Sequence, residues 1–81
     1  MLNLEVTTKL SQEEVAKLAT GFFGKNGLGL AVVDENPQSL YFAGGGGYVN
    51  ATICAATDKT RVTLVTQEWE YQVKEFASKL S

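Results

Sequence analysis

The sequence has no histidine and only one each of cysteine, proline, tryptophan and arginine, namely Cys54, Pro37, Trp69 and Arg61. Without histidine there is no imidazole base, no Ser-His or Cys-His nucleophile pair and no ordinary zinc site. A single thiol closes no intrachain disulfide, so the fold is not expected to depend on an oxidising compartment. No apolar run approaches the roughly 18 residues that span a bilayer, and the opening MLNLEVTTKLSQEEV lacks the basic-then-apolar order of a secretory leader. A cytoplasmic protein with no membrane partner is expected, and the Asn50-Ala51-Thr52 sequon is read as a chance triplet. Positive charge is scarce too. A net charge of -2 and a pI near 4.9 give no electrostatic reason to approach nucleic acid, so no nucleic-acid partner is expected. No metal, cofactor or catalytic set is expected either: Glu68 and Glu70, the most suggestive pair of acids, stand two apart on a helical stretch and point in different directions.

The 81 residues, 44% apolar and 20% charged, support one domain over 1–81, near the lower size at which a single core suffices. Residues 2–8, LNLEVTT, alternate Leu2, Leu4 and Val6 with polar neighbours, the period of a half-buried strand. Ser11 and Glu14 form a capping box, with Leu10 and Val15 at the staple positions. Val15, Leu18, Ala19, Phe22 and Phe23 then make an apolar helical stripe, with Glu13 and Lys17 paired on its wet side. Gly24 and the following Lys-Asn-Gly are expected to end this helix through positive φ, and Gly21 marks a close approach of helix to sheet. Strands are expected at Leu28–Asp34 and, after a turn at Pro37, over SLYFA. The long strand YVNATICAAT turns inward Val49, Ala51, Ile53 and Ala55. A tight turn at Asp58 and Lys59 joins it to TRVTLVT, with Val62 and Leu64 inward. A last helix starts at Thr66 or Gln67. Trp69, Val73, Phe76, Ala77 and Leu80 are its core face, and Glu70-Lys74 and Glu75-Lys79 its ion pairs. The order β-α-β-β-β-β-α predicts an α+β fold, one antiparallel sheet with both helices packed on one face.

The segment DKTRVTLVTQEWEYQVKEFASKL, a turn, a Thr-rich last strand and a long C-terminal helix opening on an aromatic, resembles the end of START and Bet v1-like helix-grip domains. The element order also resembles the β-α-β4-α repeat of the TATA-binding protein. The first resemblance implies a small apolar ligand held between sheet and helix. The second implies a DNA-binding sheet face, which would need basic residues and apolar wedges that this chain lacks.

The four glycines Gly44 to Gly47, in YFAGGGGYVN, read as a phosphate cradle, a ligand-gating loop or a turn. A P-loop needs a following helix and a Gly-Lys-Ser/Thr ending. Here Tyr48 and Val49 follow in a strand, so a hairpin turn is expected, with the surplus glycine marking close backbone packing or a partner contact. Cys54 has no cation or helix N-terminus to activate it and reads as a strand thiol. The outward positions Tyr48, Asn50, Thr52, Cys54 and Ala56, beside Thr63, Val65 and Tyr41, form a semi-apolar face whose charges are Arg61 and Glu5. The expected function is a non-catalytic protein-interaction or homodimerisation module. It would use Tyr41, Gly44, Gly45, Gly46, Gly47, Tyr48, Asn50, Thr52 and Arg61. The alternative is a small apolar ligand between sheet and C-terminal helix, entering beside the glycine run.

Overall fold

The computed structural model describes residues 1–25, 27–36 and 38–80. The elements are β1 (Leu2–Thr8), α1 (Gln12–Phe23), β2 (Ala31–Asn36), β3 (Ser39–Gly44), β4 (Gly47–Ala56), β5 (Lys59–Gln67) and α2 (Glu70–Leu80). The strands form one antiparallel sheet in the order β1-β5-β4-β3-β2, so the fold is α+β as the element order predicts. Four interstrand spacings, roughly 19 Å, separate the two edge strands. The four antiparallel pairings leave β1 and β2 parallel, so α1 returns along the strand direction between them, its Gln12 and Glu13 end lining the same hollow as Glu35 and Asn36 of β2.

Both helices lie on the inner face, where Val15, Phe23, Phe42, Val49, Ala51, Ile53, Val62, Leu64, Val73 and Phe76 are almost completely buried. Phe22, Phe23, Phe42 and Phe76 pack ring to ring with centroids 5.0 to 5.5 Å apart, filling the space beneath α2. Three threonines share this interior. Thr66 donates to the Tyr48 carbonyl at 2.7 Å and Thr60 to the Leu10 carbonyl at 2.6 Å, while Thr8 accepts from the Leu10 N–H at 3.3 Å, which fixes the exit from β1.

Several local expectations are corrected. Ser11 caps α1 by accepting the Glu14 N–H at 3.1 Å, but its hydroxyl donates to the Glu14 carboxylate in place of the reciprocal backbone bond. Leu18 is 47% exposed because the buried stripe of α1 is narrower than its apolar residues, and Ala55 is exposed although it points inward. A Cβ on Gly21 would meet nothing within 4 Å, so no close approach explains that glycine. Gly24 ends α1 with an ordinary φ of -78°; its side is closed to any Cβ by the Thr20 carbonyl. The expectations for Asn26 and Pro37 lie outside the described residues.

The second strand begins at Ala31, not Leu28. The N–H groups of Leu28, Gly29 and Leu30 bond the carbonyls of Phe22, Gly24 and Phe23, capping the helix end instead of joining the sheet. All of β2 is exposed, and a bulge at Val33 interrupts its pairing with β3. The β4–β5 loop is Thr57 and Asp58, with Asp58 at φ 61°, and Lys59 already belongs to β5. The last helix starts at Glu70 because Thr66 and Gln67 remain in the strand and Glu68, at φ 78°, turns the chain. Among the described residues the expected pairs Glu13-Lys17, Glu70-Lys74 and Glu75-Lys79 do not close; Glu70 instead faces the N-terminal ammonium at 3.6 Å.

Candidate functional site

The register places the outward residues in rows across the sheet. Tyr41 on β3, Asn50 on β4 and Val65 on β5 are direct cross-strand partners, and Thr52 lies between Ser39 and Thr63. Arg61 stands opposite Cys54 on one side and Thr7 on the other. Tyr41, Tyr48, Asn50, Thr52 and Arg61 thus share one face, with the exposed thiol of Cys54 on it. No helix of the described residues packs there, since α1 sits against β4 and α2 against β1 and β5 on the inner side.

Two features give this face its character. The rings of Tyr41 and Tyr48, diagonal neighbours across β3 and β4, stack with centroids 5.7 Å apart and planes 9° from parallel. Diagonal aromatics on adjacent strands are within reach of each other. Beside them the Asn50 Oδ1 is shielded from solvent and has no hydrogen-bond partner among the described residues, an arrangement native proteins rarely leave unexplained. The charges stand at the margins. Arg61 Nε is 3.9 Å from Glu5 Oε1 with both side chains more than half exposed, a pair too wet to add much stability. Asp34 lies beyond Tyr41 on the outermost strand.

The glycines do not lie on the face but at one end of it. Gly44 pairs with Gly47, and Gly45 and Gly46 form the two-residue loop with φ of 60° and 83°, the doubly positive geometry of a type I′ hairpin. The surplus has a packing cause. A Cβ on Gly45 would fall 2.6 Å from Trp69 Cζ2, one on Gly44 would fall 2.9 Å from Leu30 Cδ2, and one on Gly47 would run into the Gln67 carbonyl. The indole Nε1 of Trp69 donates to the Gly44 carbonyl at 3.0 Å. Trp69 therefore clamps the hairpin and is only half buried, where the sequence suggested a place on the core face of the last helix. A tryptophan arriving three residues after a strand's last buried position was the available signal.

Among the described residues no group of three or more cysteines and acids is placed to hold a metal, and no helix is long and apolar enough to cross a membrane. The carboxyl of Glu70 is held below its usual range, first by its own backbone N–H and then by that of Glu68, against an opposing effect of burial. An open groove of about 530 Å³ lies at the far end of α2 from Trp69, with Leu10 and Leu80 on its floor and Lys9, Lys59 and Lys79 around it. The Lys79 ammonium is 4.8 Å from the centre of the Phe22 ring.

These features define the class as a small antiparallel α+β domain with one face of its sheet open. No family model, curated protein or solved structure matches this chain.

Proposed function

We propose that this protein is a non-catalytic interaction module whose working surface is the outer sheet face around Tyr41, Tyr48, Asn50 and Thr52, occupied by a second copy or by another protein. The observation that carries the reading is the stacked tyrosine pair beside an unpartnered Asn50 oxygen on a face that no helix covers. Tyrosine provides a large rigid contact with a polar tip and is enriched at interfaces, whereas charge is depleted from interface centres. The glycine hairpin serves this surface from its end by fixing β3 against β4.

A small apolar ligand under α2, the function implied by the helix-grip resemblance, is the second reading. The open groove at the far end of α2 favours it. The packed phenylalanines and the Trp69 clamp beside the glycines support the first reading over it. Sedimentation equilibrium and partner capture with Tyr48→Lys and Thr52→Glu test the choice. Both substitutions are expected to abolish association while leaving the urea midpoint nearly unchanged. A strict monomer whose partners all survive both substitutions refutes the interaction reading.

A further inference from the structure

The chain is acidic overall, yet the groove at the far end of α2 is basic. Three of the seven basic residues, Lys9, Lys59 and Lys79, line it, and among the described residues none of the nine acids does. The hollow between α1 and β2, by contrast, carries Glu13 and Glu35. Among the described residues no carboxylate forms an ion pair with any of the three lysines. They come from three places: Lys9 from the β1–α1 connection, Lys59 from the start of β5 and Lys79 from the last turn of α2. Thr8 pairs with Thr60, so Lys9 leaves the ladder beside Lys59, and like charges side by side on neighbouring strands are destabilising. An anion between them offsets that repulsion. The carbonyls at the end of α2 offset the charge of Lys79, whose ammonium is steadied by the Phe22 ring, but they are not shared by the other two.

The floor of the groove is apolar and fixed in advance. Leu80 is buried, and Leu10 is held on both sides: its N–H donates to Thr8 Oγ1 at 3.3 Å, and its carbonyl accepts from the Thr60 hydroxyl at 2.6 Å. That floor needs no ordering when a ligand arrives, which removes a cost that ordinarily weakens binding. A volume of about 530 Å³ falls in the range that holds one small organic molecule. Apolar groups recessed below charged ones suit such a molecule; a bilayer is met by an apolar surface that projects into it.

We infer that this groove binds a small free organic anion with an apolar body, a carboxylate of medium chain length. Its head lies among Lys9, Lys59 and Lys79 and its tail on Leu10 and Leu80. The inference rests on the ligand-binding reading above and is independent of the outer sheet face. Lysine meets the head as a point charge, so the planar fork of an arginine is not required.

Octanoate, 1-octanol and acetate, titrated separately into the isotope-labelled chain, test the assignment by nuclear magnetic resonance. Octanoate is expected to shift the amide signals of Leu10, Lys59 and Leu80, to bind about ten-fold more tightly than either of the others, and to weaken as salt is raised. Lys9→Gln and Lys59→Gln should each weaken octanoate about five-fold and leave octanol unchanged. Both lysines are exposed, and an unaltered urea midpoint confirms that the variants fold. Equal affinity for octanoate and octanol, unchanged in both variants, overturns the anionic ligand and leaves the apolar-ligand reading standing. Acetate binding as tightly as octanoate overturns the role of the leucine floor. Octanoate shifts confined to residues outside the groove overturn the site. No response to octanoate or octanol overturns the inference and the ligand reading together. Binding to anionic phospholipid vesicles without any response to octanoate does so as well and assigns the lysines to a membrane surface.

Discussion

Replacing single glycines by alanine should have opposite effects at three positions, and the structure sets the order. Gly21 is helical, exposed and has nothing within 4 Å of a Cβ, so Gly21→Ala should gain about 1 kcal/mol from helix propensity and a less flexible unfolded chain. Gly46 has φ 83° with open space beyond it, so only backbone strain enters. That strain is about 1–2 kcal/mol for a left-handed alanine, partly offset by the same unfolded-state gain, leaving a loss of about 1 kcal/mol. Gly45 carries equivalent strain and in addition puts its Cβ 2.6 Å from Trp69, so the indole must move. Displacing it gives up the 3.0 Å bond to the Gly44 carbonyl, worth about 1 kcal/mol, together with part of its packing. Gly45→Ala should therefore lose about 2–3 kcal/mol.

Urea unfolding followed by far-ultraviolet circular dichroism resolves these differences, provided the slope with denaturant is unchanged. In thermal melts each kcal/mol corresponds to about 4–8 °C for a domain of this size. Because Trp69 is the single tryptophan, its emission reports the clamp alone; it should shift in Gly45→Ala and remain in place in Gly46→Ala and Gly21→Ala. Repeating the series in a Trp69→Leu background should remove the extra cost at Gly45, a coupling of about 1–2 kcal/mol. Equal losses at Gly45 and Gly46, with no emission change at either, would refute the clamp.

Two further perturbations probe polar groups in the fold. Thr66→Val keeps the shape of a fully buried side chain but removes its 2.7 Å bond to the Tyr48 carbonyl, and should lower unfolding stability by about 1 kcal/mol without changing the fold seen by circular dichroism. Glu70 has a folded-state pKa below its unfolded one, so its stabilising contribution is present above the unfolded carboxylate range and is lost as pH falls through the folded value. Glu70→Gln should accordingly be the less stable protein at neutral pH and converge with the parent in acid. A difference that persists in acid would show that the ionised carboxylate is not what matters there.

The sheet was legible because alternation is a local signal: Leu2, Leu4, Val6 and Val49, Ala51, Ile53 carry their inward direction in their spacing. The cap at Ser11 was legible for the same reason, since its partner is three residues away. What the sequence misread depended on partners distant in the chain. Leu28 and Leu30 look like strand residues, but their N–H groups are taken by the end of α1. The apolar stripe of α2 extends back through Trp69, so the turn at Glu68, a non-glycine at positive φ, left no trace in composition. Gly21 and Gly45 look alike in sequence; only the position of Trp69 separates the glycine that has room from the one that does not. The outer face could be named residue by residue from alternation alone. The isolation of the Asn50 oxygen could not, because it requires Tyr41 from β3 and Val65 from β5 to arrive in register.

Register also connects the glycine run to the face. Side chains alternate with a period of two, so a slip of one residue between β3 and β4 would turn Tyr41 inward and Phe42 outward. Nothing on the open face itself prevents such a slip, because its groups are small, uncharged or free to rearrange. The constraints lie at the end and on the inner side: a two-residue turn that admits only one pairing of Gly44 with Gly47, and an indole that fits over that turn only while Gly45 lacks a side chain. The 5.7 Å approach of Tyr41 to Tyr48 is a consequence of that pairing, five residues or fewer from the turn. A disturbance of the hairpin should thus reach the tyrosine stack before it reaches the core beneath α2, where Phe22, Phe23 and Phe76, all on the helices, pack on one another independently of the turn.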